Sequence, residues 1–66
     1  MAVNSNLKAY RKMNNLSQDQ LAEAIGAHPK SISRIERGER NVSLELALRL
    51  SRYLQCTVED LFQIDG

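Results

Sequence analysis

Residues 16–38, LSQDQLAEAIGAHPKSISRIERG, decide how this chain folds. Ser17 and Gln20 stand at capping-box spacing, in which a cap hydroxyl takes the amide three residues on and a Gln side chain returns to the cap amide. Leu16 before the cap and Leu21 within the helix have the spacing of a hydrophobic staple. Leu21, Ala22 and Ile25 then line one helical face, and Gly26 supplies a stop. After the short corner Gly26-Ala27-His28, Pro29 opens a second helix. Its ring presets the φ of a first helical residue, and the N–H it lacks is one that would go unpaired anyway. His28 thereby becomes the cap, a position where Ser, Thr or Asp serve better, and Gly38 ends the helix.

This second helix separates its residues by chemistry. At ~100° per residue, Ile32 and Ile35 point one way, while Lys30, Ser33, Arg34 and Arg37 point the other. An apolar back with a cationic, hydrogen-bonding front suits presentation to a polyanion. The bulk charge, only +1, carries no such message. Its distribution does. Lys30, Arg34, Arg37 and Arg40 fall in one stretch, Lys8, Arg11 and Lys12 cluster earlier, and Glu59, Asp60 and Asp65 occupy the basic-free end of the chain. A molecule positive at one end and negative at the other is oriented by a polyanion's field.

Three further helices complete the pattern. The first follows Asn4–Asn6, carries Leu7 and Tyr10, and stops near Asn14-Asn15, where Asn tolerates the left-handed conformation of a helix end. Ser43 caps the fourth, which holds Leu44, Leu46, Ala47, Leu48, Leu50, Tyr53 and Leu54. These span an arc of roughly 220°, wider than one core contact requires. Two buried faces, one of them a subunit interface, account for that width; simple partial exposure of Leu48 and Tyr53 is the alternative. The fifth starts at Thr57, with Asp60 at its third position and Cys56 facing Leu61. Leu61 and Phe62 close the core, residues 63–66 form a tail, and no strand pattern or internal repeat is expected.

With 66 residues the chain forms one domain. A core this small seldom supplies more than about 3–5 kcal/mol unaided. A lone Cys56 excludes an internal disulfide, and His28 with Cys56 are too few ligands for structural zinc. Association with a second copy is the expected reinforcement. No apolar stretch is long enough to span a bilayer, and the first residues lack the regions of a secretory signal, so a cytoplasmic protein is expected. A catalytic set would have to recruit His28 or Cys56, both of which have structural uses; no enzyme activity, metal or cofactor is expected.

The run Leu16-Ser17-Gln18-x-x-Leu21-Ala22, then Gly26, then Ile32-Ser33-Arg34-Ile35-Glu36-Arg37-Gly38, resembles the Cro/C1-type helix-turn-helix family, also called Xre. Leu7 to Arg11 is similar to that family's first helix and Asn41 to Phe62 to its last two. GERNVSL (38–44) is similar to controller proteins of restriction-modification systems, while SLELAL (43–48) and EDLF (59–62) are equally similar to small dimeric repressors. The resemblance implies an all-α, five-helix, lambda-repressor-like domain over residues 1–66 with its helix-turn-helix at about 17–37. It also implies a bacterial, phage or mobile-element regulator of transcription, a repressor or autoregulator, bound as a homodimer to near-palindromic double-stranded DNA. His28 and Pro29 depart from the family pattern.

Transferred to these positions, base contacts fall to Lys30, Ser33 and Arg34, with Pro29 limited to a methylene contact such as a thymine methyl. Ser17 and Gln18, at an amide-rich helix start, are assigned to phosphate, as are Arg37, Arg40 and Asn41. Ser31 is divided between a phosphate contact and packing on the preceding helix. Relatives pair an Arg and a Glu at the positions of Arg11 and Glu36, which implies a partly buried ion pair locking the first helix to the third. Leu46, Leu50, Tyr53, Val58 and Phe62 are the candidate dimer interface, their division between core and interface left open by the sequence. A protein-contact module, such as an antitoxin or accessory partner, is the competing reading; it has no need of Lys30, Arg34 and Arg37 on one face. With neither a second domain nor an evident pocket, no small-molecule effector is expected.

Overall fold

The computed structural model describes residues 2–39 and 42–65. Its elements are β1 (Ala2–Ser5), α1 (Leu7–Met13), α2 (Gln18–Ile25), α3 (Pro29–Glu36), α4 (Leu44–Leu54), α5 (Val58–Leu61) and β2 (Phe62–Asp65). Five helices sit where caps and periodicity place them. Ser17 with Gln20 and Thr57 with Asp60 both form complete capping boxes, and Ser43 accepts from the Leu46 amide. Asn15, Gly26 and Gly38 take positive φ at the expected helix ends (56°, 72° and 70°). Gln55 does the same after α4 (φ 56°).

One core joins all five helices. Leu7, Leu21, Ile32, Leu50 and Leu61, one from each helix, are the largest fully buried side chains. Burying a side chain of this size contributes about 1.5–3 kcal/mol, so each helix has an anchor comparable to a large share of so small a domain's net stability. Tyr10, Leu16, Val42, Leu46, Cys56 and Phe62 pack around this centre, partly buried. Among the described residues, no helix is long and apolar enough to cross a membrane.

Two expectations need correction. The end of the chain is no tail: β2 pairs antiparallel with β1, with Val3 opposite Ile64 and Ser5 opposite Phe62. The Asn6 amide donates to the Leu61 carbonyl at 2.8 Å, and the Asn6 side chain donates to the Asp60 carbonyl at 3.3 Å, so the ribbon is stitched at its base. A two-stranded ribbon is marginal alone; here α5 and Asn6 hold it in register. The second correction concerns α4. Ala47, Leu50, Ser51 and Leu54 form a single buried face. Leu50 is wholly buried, which leaves it no surface for a second subunit. Leu48 and Tyr53, both about half exposed, lie on opposite flanks of that face, roughly 140° apart. Within one chain the wide apolar arc is one core face with two apolar margins, and of the candidate interface residues only Leu50 is excluded by its burial.

Candidate nucleic-acid interface

α3 is held by its back. Ile32 and Ile35 are in the core, while Lys30, Arg34 and Arg37 are exposed and Pro29, Ser31 and Ser33 half-buried. On the wheel Ser33, Arg37, Lys30 and Arg34 fall within roughly 100° of one another, centred opposite the two isoleucines. Arg37, just past the helix, forms an exposed ion pair with Glu39 (2.7 Å). Arg40 and Asn41 lie outside the described residues.

The position of α3 relative to α1 and α2 is set by an ion pair and its hydrogen bonds. Arg11 Nε donates to Glu36 Oε2 at 2.5 Å, and Arg11 Nη2 donates to Glu36 Oε1 at 3.2 Å. A third donor, Arg11 Nη1, reaches the Leu16 carbonyl at 2.8 Å. Gln18 Nε2 also donates to Glu36 Oε1, at 3.1 Å. The Arg11 and Glu36 side chains are 10% and 4% exposed, so this is a buried pair whose charged atoms are satisfied by hydrogen bonds. Burial alone would push the Glu36 carboxyl up, but the bonds from Arg11 and Gln18 and the charges of Arg11 and Lys8 overcome it and hold the group below its ordinary value. The bond from Glu36 raises the Arg11 value against the opposing effect of burial.

The place of Gln18 in this network escaped the sequence reading, which assigned its side chain to phosphate. The available signal was its position: the first residue of a helix packed on α3, with a side chain long enough to reach Glu36. Arg49 was missed as well. Its Nη1 donates to the Ile25 carbonyl at 3.1 Å and its Nη2 to Glu45 Oε2 at 2.6 Å, so it satisfies the end of α2 from α4. Beside it runs an open surface groove lined by Glu23, Ala24, Ile25, Gly26, Arg49, Arg52 and Tyr53. Gly26 is required by its left-handed backbone; a Cβ there would meet Arg49 only at ordinary contact distance, 3.5 Å.

The two helix starts of the motif are wired differently. At α2, Ser17 Oγ accepts from the Gln20 amide (3.0 Å) and Gln20 Oε1 from the Ser17 amide (2.8 Å). The amides of Gln18 and Asp19 have no acceptor among the described residues. At α3, Pro29 has no N–H, His28 Nδ1 accepts from the Lys30 amide (3.1 Å), and the His28 carbonyl accepts from the Ser31 amide (2.9 Å). The first turn of α2 offers backbone donors, whereas that of α3 offers side chains, its one unbonded N–H among the described residues being that of the cap, His28.

Comparison with known proteins agrees with this geometry. A helix-turn-helix family model matches residues 7–61. Control protein C.SmaI of Serratia marcescens is 44% identical over 61 residues, covering 92% of this chain and 73% of that one. The restriction-modification controller protein C.AhdI of Aeromonas hydrophila superposes with a TM-score of 0.77 at 38% identity, with 85% of each chain covered. The clp gene regulator ClgR of Corynebacterium glutamicum superposes at 0.74 and 33% identity over 82% of this chain, which spans 57% of that longer protein. The matched family, the conserved architecture and the capped α2–α3 pair agree: the chain belongs to the Cro/C1-type (Xre) helix-turn-helix family, the DNA-binding domains of transcriptional regulators.

Proposed function

We propose that this protein binds a specific, near-palindromic duplex as a homodimer, in the cytoplasm, and represses or autoregulates transcription from it. The observation that carries this reading is α3: its isoleucines are sunk in the core while Lys30, Ser33 and Arg34 remain free to meet base edges. Arg34 is assigned to guanine, whose O6 and N7 it can bond as a fork, with Lys30 and Ser33 beside it and Pro29 restricted to apolar contact. Ser17 and the Gln18 and Asp19 amides are assigned to phosphate, where they fix register without reading sequence. Arg37 and Arg40 add charge, and Ser31 and Asn41 add polar contacts. Control is the named role of C.SmaI and C.AhdI, which favours a regulator over a protein-contact module.

One domain inserts one helix, and two-fold pairing places a second about 34 Å away, one turn of DNA. Tyr53, Val58, Phe62 and the visible edge of Leu46 are the proposed contact surface, with exposed Leu44, Leu48 and Ile64 as additions from the structure. Sedimentation of Tyr53→Glu and Leu48→Glu separates the two flanks of α4, since only the flank that pairs should yield a monomer. Selection from a random duplex pool tests the whole reading: a two-fold symmetric site is expected, with affinity falling steeply as salt rises. Failure to bind any duplex at low salt overturns it.

A further inference from the structure

The cap of α3 has a chemical consequence. His28 Nδ1 accepts the Lys30 amide at 3.1 Å, so that nitrogen carries a lone pair and the ring proton of the neutral imidazole resides on Nε2. The two nitrogens face different ways. With Nδ1 turned to the helix, Nε2–H is aimed away from it. His28 is exposed, and its Nε2 has no acceptor among the described residues. Past the cap the first turn has no backbone donor left to give, since Pro29 lacks one and the Lys30 and Ser31 amides are both bonded to His28; the one backbone N–H without an acceptor there, among the described residues, is that of His28 itself. A Ser or Thr cap keeps its O–H, but on a short side chain that holds the donor close to the helix end. Histidine caps with one atom and retains a second, rigidly directed donor at the end of the helix that enters the major groove.

We propose that His28 is a specificity-determining residue whose Nε2–H donates to the N7 of a purine at the edge of each half-site. A single directed donor needs only one acceptor, and every purine presents N7 in the major groove, whereas the fork of Arg34 suits the paired N7 and O6 acceptors of guanine. This inference rests on the DNA-binding reading above. A phosphate oxygen is the competing acceptor and is distinguished by the test.

His28→Ser retains a good cap, so its melting temperature is expected to equal or exceed the parent's. The duplex selected by the parent is remade with each purine of one half-site replaced in turn by its 7-deaza analogue, which removes N7 and leaves base pairing intact. At one position the analogue should weaken the parent about 3–10-fold, the worth of one hydrogen bond, and leave His28→Ser unaffected. On the natural duplex His28→Ser should be weaker by the same factor. Equal sensitivity of parent and variant at every purine overturns the proposal, as does a parent indifferent to all the analogues. A loss in His28→Ser that is uniform across unrelated duplexes assigns the contact to phosphate and overturns it too. A parent that binds no duplex at low salt overturns the DNA-binding reading and this inference together.

Discussion

The two helix starts of the helix-turn-helix use the same fold element for opposite ends. Among the described residues, α2 begins Ser17-Gln18, bonds its cap amide and leaves the first two helical amides without acceptors; α3 begins His28-Pro29, leaves only its cap amide without one, and has no free amide within its first turn. Backbone N–H groups are identical at every residue and can hold a phosphate without regard to sequence. Side chains differ from residue to residue, and they are the groups that can discriminate one base from another. In the proposed reading affinity and selectivity separate onto α2 and α3, and one carboxylate, Glu36, ties the two together through Gln18 and Arg11.

Removing that tie should have the largest effect. Glu36→Gln leaves the Arg11 guanidinium buried without a counter-charge, a loss of about 3–5 kcal/mol. That is comparable to what a core of this size supplies, so the variant should lack a cooperative melt by circular dichroism at 25 °C. Melting within a few degrees of the parent would show that α2 and α3 keep their geometry without it. Replacing both partners by apolar residues, Arg11→Met with Glu36→Leu, should recover most of the loss, because no charge is stranded. Acid probes the same tie. The folded Glu36 value lies below the unfolded one, so its stabilisation is fully present above the unfolded value of about 4.3 and is lost as pH falls through the folded value. Melts between pH 7 and 3 should show a decline beginning near the unfolded value that is absent from the double apolar variant.

Arg34→Ala breaks the comparison from the α3 side. The fold should be unchanged, since Arg34 is exposed, and discrimination at one base pair should fall by about 1–3 kcal/mol. Binding to the selected site and to single-base variants of it measures this. A loss equal across all sequences would make Arg34 a phosphate contact and erase the division of labour.

Much of this was legible in the chain because helix ends are local. Ser17 with Gln20, Thr57 with Asp60, and Gly26 declare themselves within four residues, and the structure shows each cap and stop in place. What was missed is non-local or depends on packing. β1 and β2 are four residues each, paired across nearly the whole chain; Asn4-Ser5 carries no alternation to betray a strand, and the register comes from Asn6 bonding to α5. Leu50 was grouped with Tyr53 because both stand on a wide apolar arc; only the placement of α2 and α5 against α4 decides that Leu50 is core. Gln18 and Arg49 escaped for a related reason, since a polar side chain at a helix surface reads as solvent-facing until the neighbouring carboxylate or carbonyl is in position.

The smallest expected effect isolates a single amide. Ser17 and His28, the two caps, have the same extended backbone, φ −79°, ψ 167° and φ −88°, ψ 141°, which is what a following proline requires. Gln18→Pro therefore gives α2 the proline first position that α3 already has, without disturbing the helix. Gln18→Ala is its control: both variants lose the side-chain bond to Glu36, and only Gln18→Pro also loses the N–H. Proline restricts the unfolded chain, so Gln18→Pro should melt no lower than Gln18→Ala. Its affinity for every duplex, selected or random, should be lower than that of Gln18→Ala by about 3–10-fold, with base preferences identical in the two variants. Equal affinities would mean that no phosphate is held at that amide, and that the start of α2 differs from the start of α3 in its wiring but not in its use.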